Sequence, residues 1–330
     1  MTTLWDTTGT AVVKALAAER RQHGSVSSGL ALTLVVVVAE DKVTAAEQAA
    51  TRAAAAHPCR LIIVVRRRPG APESRLDAEV VIGGRLGPGE AVVLRMYGRL
   101  ALHAESVVLP LLAPDAPVVT WWYGDPPHRI EHDPLGVLAG RRITDTALAE
   151  DPLAALHTRA DDYAPGDTDL AWARATQWRA LCASGLDSVD APVAAASVTG
   201  AAGDATRALL AGWLRSRLDV EVALVDSSGQ GVTAVELQVE DAPVQLRADA
   251  GSTAVLSRSG RPDRVMPLEA RDLGDLLAEE LRRLDPDETY AAALAAATGT
   301  EGLSARPPTR THVWHDPTES ADPDPALTTS

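Results

Sequence analysis

The residues best equipped for chemistry cluster near the middle of this sequence. His128 and His132 stand four apart, flanked by Glu131 and Asp133. On a helix that spacing would put both imidazoles on one face and offer a metal two ligands. Pro126 and Pro127 before them and Pro134 after them break such a helix, and no third ligand is marked, so these side chains read as loop polar groups. His312 and His315 with Asp316 repeat the idea in a stretch that reads as a poor cage. A second constellation surrounds the first. Trp121, Trp122 and Tyr123 close an apolar, β-branched run, and Asp133, Arg141, Arg142 and Asp145 follow. Trp172, Trp178 and Arg179 add another aromatic–arginine group further on. Aromatic residues with arginine are what protein–protein hot spots are made of, which makes these ten residues the candidate partner-binding set. The same tryptophans serve equally to pack two halves of the chain together, with the arginines paired to Asp133, Asp145 or Asp169. The two readings are compatible.

Two glycine-bearing turns could hold an anion. Val198-Thr-Gly-Ala-Ala-Gly-Asp204 runs from a strand into a helix, whose first N–H groups are free to meet a phosphate. It lacks GxGxxG, and Asp204 would repel a phosphate, so a plain turn with Asp204 as N-cap is favoured. The loop GGRLGPGE at 83–90 leads into a strand, so no helix N-terminus faces it, and a hairpin turn is favoured. GxSxG, a P-loop and HExxH do not occur. No catalytic residue, metal site or cofactor is assigned on these grounds, and the weight shifts towards a binding or regulatory protein.

The elements that must position these residues read as α/β, a mixed α+β pattern. A helix at 6–23, a valine-rich strand at 30–39, a helix at Val43–Ala56 and a strand at 60–66 form a β-α-β unit with a parallel pair. Strands at 78–82 and 91–97, a helix at 103–112 and the strand 117–122 complete the first half, ending at the tryptophan pair. The acidic, proline-glycine stretch 161–169 marks the domain boundary. Beyond it come a helix at 170–184 capped by Asp169, a strand at 192–199 and the helix Ala205–Leu218. Alternation at 220–225, Val232–Val239, Val244–Ala248 and 254–257 reads as antiparallel strands with one wet face. Helices at 268–284 and 287–298 follow. The expectation is two α/β domains, 1–160 and 161–298, each a mixed sheet flanked by helices, then a disordered acidic tail at 299–330.

Composition narrows the function class. The 330 residues carry a net charge of −14, which argues against the counterion-releasing contacts of nucleic-acid binding and against anionic membranes. The longest apolar run is strand-length, far below a membrane span, and the N-terminus has no basic region before an apolar core, so a cytoplasmic protein is expected. Cys59 and Cys182 are the only cysteines, belong to no CxxC pair, and read as free buried thiols.

Four features in order carry a resemblance: the strand ending in Trp121-Trp122 before Gly124-x-Pro126-Pro127; Asp133-Pro134-Leu135; Arg141-Arg142-Ile143-Thr144-Asp145; and Asp169-Leu170-x-Trp172 followed by Trp178-Arg179-x-Leu181. Together they resemble the OpcA family of glucose-6-phosphate dehydrogenase assembly proteins in actinobacteria and cyanobacteria. The resemblance implies a non-catalytic protein that binds glucose-6-phosphate dehydrogenase, promotes its active oligomer and raises its activity, feeding NADPH production through the oxidative pentose phosphate pathway. Cyanobacterial members are associated with cysteine-based redox control, which two thiols unpaired in sequence do not carry over here. The competing expectation is an enzyme or sensor of sugar phosphates or nucleotides, with its ligand at 199–204 or near Arg141 and Arg142.

Overall fold

The computed structural model describes residues 1–22, 30–83, 89–187, 189–239, 243–249 and 252–313. In chain order the first half contains β1 (Thr2–Leu4), α1 (Gly9–Gln22), β2 (Leu32–Val38), α2 (Val43–Ala56), β3 (Cys59–Arg67), β4 (Arg75–Ile82), β5 (Glu90–Tyr97), α3 (Glu105–Val108), β6 (Val118–Tyr123), α4 (Pro134–Leu138) and β7 (Arg141–Thr144). The chain continues with α5 (Pro152–Asp161), β8 (Asp167–Asp169), α6 (Leu170–Arg174), α7 (Thr176–Leu186), β9 (Val193–Gly200), α8 (Ala205–Leu218) and β10 (Val222–Asp226). Last come β11 (Val232–Val239), β12 (Val244–Ala248), β13 (Thr253–Arg258), β14 (Arg264–Pro267), α9 (Leu273–Leu281) and α10 (Glu288–Thr298).

Two compact units divide these elements. The first is Met1–Thr144 with Leu273–Pro286 and the described part of Pro308–Ser330; the second is Asp145–Asp272 with Asp287–Pro307. Within the first unit the strands follow the order β1-β4-β5-β3-β2-β6-β7. Strands β5, β3, β2, β6 and β7 are mutually parallel, whereas β4 runs antiparallel to β5 and β1 antiparallel to β4. The continuous valine and isoleucine runs of β2 and β3 are what a strand covered on both faces requires. Val35, Ile62, Val64, Val92 and Leu94 are fully buried, with Val12 and Leu16 of α1 packed onto the same core. Helix α9 belongs to this unit although it lies late in the sequence, and it packs along α2 with an Arg52–Asp275 ion pair of 3.0 Å.

The second unit holds a sheet of order β10-β9-β11-β12-β13-β14. Helix α8 is the crossover between the parallel pair β9 and β10, and the remaining neighbours are antiparallel. Helix α8 lies against α10 at Gly212, where an added Cβ would come 2.2 Å from the Ala293 carbonyl oxygen.

Several expectations need correction. Strand β10 is parallel to its neighbour, because a helical crossover returns the chain to the same sheet end; period-two alternation reports a wet face and not a strand's direction. The first half does not end at β6. The polar-looking Arg-Arg-Ile-Thr run is β7, buried at every position. A continuous helix over 170–184 is divided into α6 and α7 at Ala175. The helix at 103–112 is a run of short helical turns, in which α3 ends at Val108 and a tighter turn, Leu109–Leu111, carries Pro110. The helix at 268–284 shortens to α9, since Met266-Pro267 closes β14. The hairpin expected at 83–90 is present as β4 and β5, although residues 84–88 lie outside those described. Of the tail, 314–330 lies outside the described residues. Residues 299–313 correct the expectation of disorder: Leu303 is buried, and Arg306 donates to the carbonyls of Ala160, Asp161 and Tyr163.

Candidate functional site

In the first unit the chain moves from β2 through α2 to β3 on one side, and later places β6 on the other. The carboxyl ends of β2 and β6 therefore form a topological switch point, the crevice where open parallel sheets place ligands. A cleft of about 80 Å³ sits there, lined by Val38, Lys42, Arg66, Trp122, Tyr123 and Gly124, among others. Two of its lining residues, Arg66 and Trp122, are held from behind by one buried aspartate. Asp133 accepts a two-pronged contact from Arg66 at 2.9 and 2.7 Å, the Trp122 indole N–H at 3.2 Å and the Leu135 backbone N–H at 3.0 Å, which caps α4. Burial pushes the Asp133 carboxyl upward, but the Arg66 charge and these donors outweigh it and hold the group below its ordinary range. Gly136 permits the arrangement, for a Cβ there would meet Ile130 at 2.3 Å and the Trp122 ring at 3.2 Å.

The turn from β2 into α2 is Ala39-Glu40-Asp41-Lys42. In a dinucleotide-binding sheet this turn is glycine-rich and meets the pyrophosphate. Here it has no glycine and two carboxylates, and Arg95 reaches Glu40 at 2.8 and 3.0 Å. An internal carboxylate occupies the arginine that a phosphate would otherwise recruit, and like charge repels the phosphate itself.

The candidate residues are placed inside this frame. Trp121 is 0% and Trp122 1% exposed, because successive side chains of β6 enter the two covered faces of one sheet. Trp121 packs tilted on Tyr123 with ring centroids 5.1 Å apart, and among the described residues its buried indole N–H has no hydrogen-bond partner. Arg141 donates to Glu280 at 2.5 Å and to the Asp285 carbonyl at 3.1 Å, fastening the segment that carries α9 to β7. Arg142 donates to the Ala139 carbonyl at 2.7 Å.

The second unit has its own polar centre. Asp145 receives the Arg174 fork at 2.6 and 2.8 Å. Burial and the neighbouring Asp169 carboxylate push the Asp145 carboxyl upward against that fork, while the pairing holds the Arg174 guanidinium charged. Asp169 caps α6 through the Ala171 N–H and also accepts from Thr146. Trp172 donates to Asp287, the N-cap of α10, at 2.9 Å; Arg179 lies over its ring at 3.5 Å, and Tyr290 is 5.9 Å away. Trp178 packs with Leu181 and Cys182 in the sheet core.

The expected exposed surface is thus corrected. Trp121, Trp122, Asp133, Arg141, Arg142, Asp145, Trp172 and Trp178 are all buried, and only Tyr123 and Arg179 are partly accessible. Ring size and guanidinium geometry suit a desolvated polar core as well as they suit an interface. Residue identity alone does not separate the two. Sequence reading also missed Arg66, Arg174, Glu280, Asp287 and Tyr290, whose partners lie up to 139 residues away. The turn at 199–204 is closed as well. Asp204 caps α8 through the Arg207 N–H, while the Arg207 guanidinium reaches the Gly200 and Val225 carbonyls and Asp226. Among the described residues no group of three His, Cys, Asp or Glu side chains gathers to hold a metal, and His315 and Asp316 lie outside them. No helix among them is long and apolar enough to cross a membrane.

Comparison with known proteins gives two matches to family profiles. Residues 50–161 match the glucose-6-phosphate dehydrogenase subunit N-terminal domain, and residues 165–294 match the C-terminal domain of the same subunit. No curated protein sequence matches. Among solved structures the chain is similar to a levoglucosan dehydrogenase in complex with NADH, with 9% identity, a TM-score of 0.45, and coverage of 82% of this chain and 96% of that one. An inositol dehydrogenase homolog from Azotobacter vinelandii with NAD+ shows 12% identity, a TM-score of 0.41, and coverage of 89% and 100%. An oxidoreductase from Sinorhizobium meliloti shows 11% identity, a TM-score of 0.39, and coverage of 80% and 86%. These structural likenesses are too distant to carry any inference about activity. The two profile matches account for most of the sequence, and the chain belongs to the OpcA family of glucose-6-phosphate dehydrogenase assembly proteins.

Proposed function

We propose that this protein binds glucose-6-phosphate dehydrogenase, catalyses no reaction itself, and raises the enzyme's activity by favouring its active oligomer, in the cytoplasm and in the service of NADPH supply. The observation that carries this reading is the match of both halves of the chain to the subunit family. The chemistry of the buried polar centres supports it. The carboxylates of both polar centres are engaged by arginines and backbone donors, and the turn suited to a pyrophosphate carries Glu40 and Asp41 instead of glycine. The aromatic–arginine residues act from within, as the frame that shapes the docking surface, with Tyr123 and Arg179 as their accessible members. An activator of this kind works only through unequal affinity for two states of its partner.

Co-elution tests the association. The chain mixed with its cognate dehydrogenase is expected to move with it through size exclusion; separate elution at all ratios contradicts the reading. Thermal shift with glucose-6-phosphate, 6-phosphogluconate and NADP in the absence of the enzyme tests the sugar-phosphate alternative. No saturable shift is expected, and a saturable one would favour the alternative.

A further inference from the structure

The sheet of the second unit buries one face and leaves the other open. Val198, Val235, Leu237, Leu246 and Leu256 point to the helices α7 and α8 and form the core. The opposite face can be read from the strand registers. One unbroken row crosses all six strands: Val225, Thr199, Ala234, Arg247, Val255 and Val265. Five of the six are small or β-branched and uncharged. Val225 is 44% and Val265 68% exposed, so the row ends in bare valine at both sheet edges. The next row carries Ser197, Glu236, Gln245 and Ser257. Glu236 and Arg247 are therefore the only charges in these two rows, of opposite sign, and Gln245 stands between them. It donates to Glu236 at 3.0 Å and accepts from Arg247 at 3.4 Å.

We infer that this face is a self-complementary docking surface for a second copy of the chain. Three observations commit it to that occupant. First, each copy carries a net charge of −14, so two copies repel least through a face that is locally neutral, and these two rows sum to zero. Depletion of charge with retention of arginine is the composition of an interface core. Second, a two-fold operator brings residue i of one copy to residue j of the other and j to i. An acid and a base two residues apart along neighbouring strands satisfy that rule: Arg247 of each copy meets Glu236 of the other. Third, the face is broad, spanning all six strands of the sheet, and holds a shallow cleft lined by Ser197, Thr199, Glu236 and Arg247 that side chains of a second copy can enter. Six strands at about 4.8 Å and five residues at about 3.3 Å give a projected area on the order of 950 Å² for the pair, just short of the ~1,000 Å² of a specific interface, and side-chain relief adds to it. Two such faces pack as sheets do, with small side chains interdigitating.

Light scattering on the full chain across a wide concentration range provides the test. The expected mass at high concentration is twice the chain mass of 34.6 kDa. R247E and E236R are each expected to halve it by placing like charges opposite one another, and the double variant E236R/R247E to restore the dimer. Val265→Asp, at an exposed position, is a second disrupting variant, and an unchanged near-ultraviolet spectrum certifies the fold of each. A monomer at every concentration, a dimer indifferent to the single reversals, or a double variant that stays monomeric overturns the inference. So does loss of dehydrogenase co-elution in R247E of a chain that is monomeric throughout, which would assign the face to the enzyme instead. The dimer is independent of the dehydrogenase reading, because it is measured with this chain alone.

Discussion

At the scale of single residues, the chemistry of this protein is directed inward. Asp133 joins Arg66, Trp122 and the start of α4, all within a buried environment. Removing one member of such a buried pair leaves the other charge uncompensated, so Asp133→Ala is expected to cost about 3–5 kcal/mol in urea unfolding followed by tryptophan fluorescence. A cost under about 1 kcal/mol would mean that the pair contributes little. The same group sets a pH dependence. Burial works to raise the carboxyls of Asp133 and Glu90, but their arginine partners win and both are depressed in the folded protein. A depressed carboxyl contributes stability that is present above its unfolded value, ~3.9 for Asp and ~4.3 for Glu, and is lost as pH falls through the folded value. Midpoints measured from pH 7 downward should therefore hold to near pH 4 and then fall, with a shallower fall in Asp133→Asn. The thiols give a third expectation. Burial pushes Cys59 and Cys182 each up to about 12, so both should resist a thiol reagent at pH 8 until denaturant is added. Rapid labelling of the native chain would contradict that and reopen redox control.

At the scale of elements, each unit depends on pieces far apart in sequence. Helix α9 is retained in the first unit by Arg141–Glu280 and Arg52–Asp275, of which the first is buried and the second exposed. The buried pair should dominate. Arg141→Ala is expected to destabilise by about 3–5 kcal/mol and to speed proteolysis around α9, whereas Arg52→Ala should cost under about 1 kcal/mol. In the second unit Gly212→Ala forces a Cβ into the backbone of α10, which should cost about 1–3 kcal/mol, visible in the unfolding midpoint. These contacts show what a sequence reader could and could not see. The buried strands β2 and β3, the helix α8 and the caps Asp169 and Asp204 were legible, because they depend on periodicity and on neighbours within a turn. Strand β7 was not, since two arginines masked a buried run whose charges are satisfied by Glu280, Asp285 and Ala139. For the same reason the tryptophan and arginine pairs were recognised as important while their exposure was misjudged. Composition says what a side chain can do, and only the fold says which way it faces.

At the scale of the whole molecule, the fold is two units, one with a mostly parallel and one with a mostly antiparallel sheet, whose buried carboxylates are engaged by arginines, in a chain of the dehydrogenase assembly family. Under the proposed function it acts by association with the enzyme. Its effect on the enzyme is bounded by the difference in its affinity for the active and inactive oligomers, with each tenfold difference amounting to about 1.4 kcal/mol. The most direct test titrates the chain into its cognate dehydrogenase at fixed enzyme concentration, reading NADPH formation and oligomer mass in the same samples. Activity is expected to rise to a plateau as the enzyme shifts into a larger species that contains this chain. Activity and mass that both stay unchanged at saturating amounts of chain would contradict the proposed role.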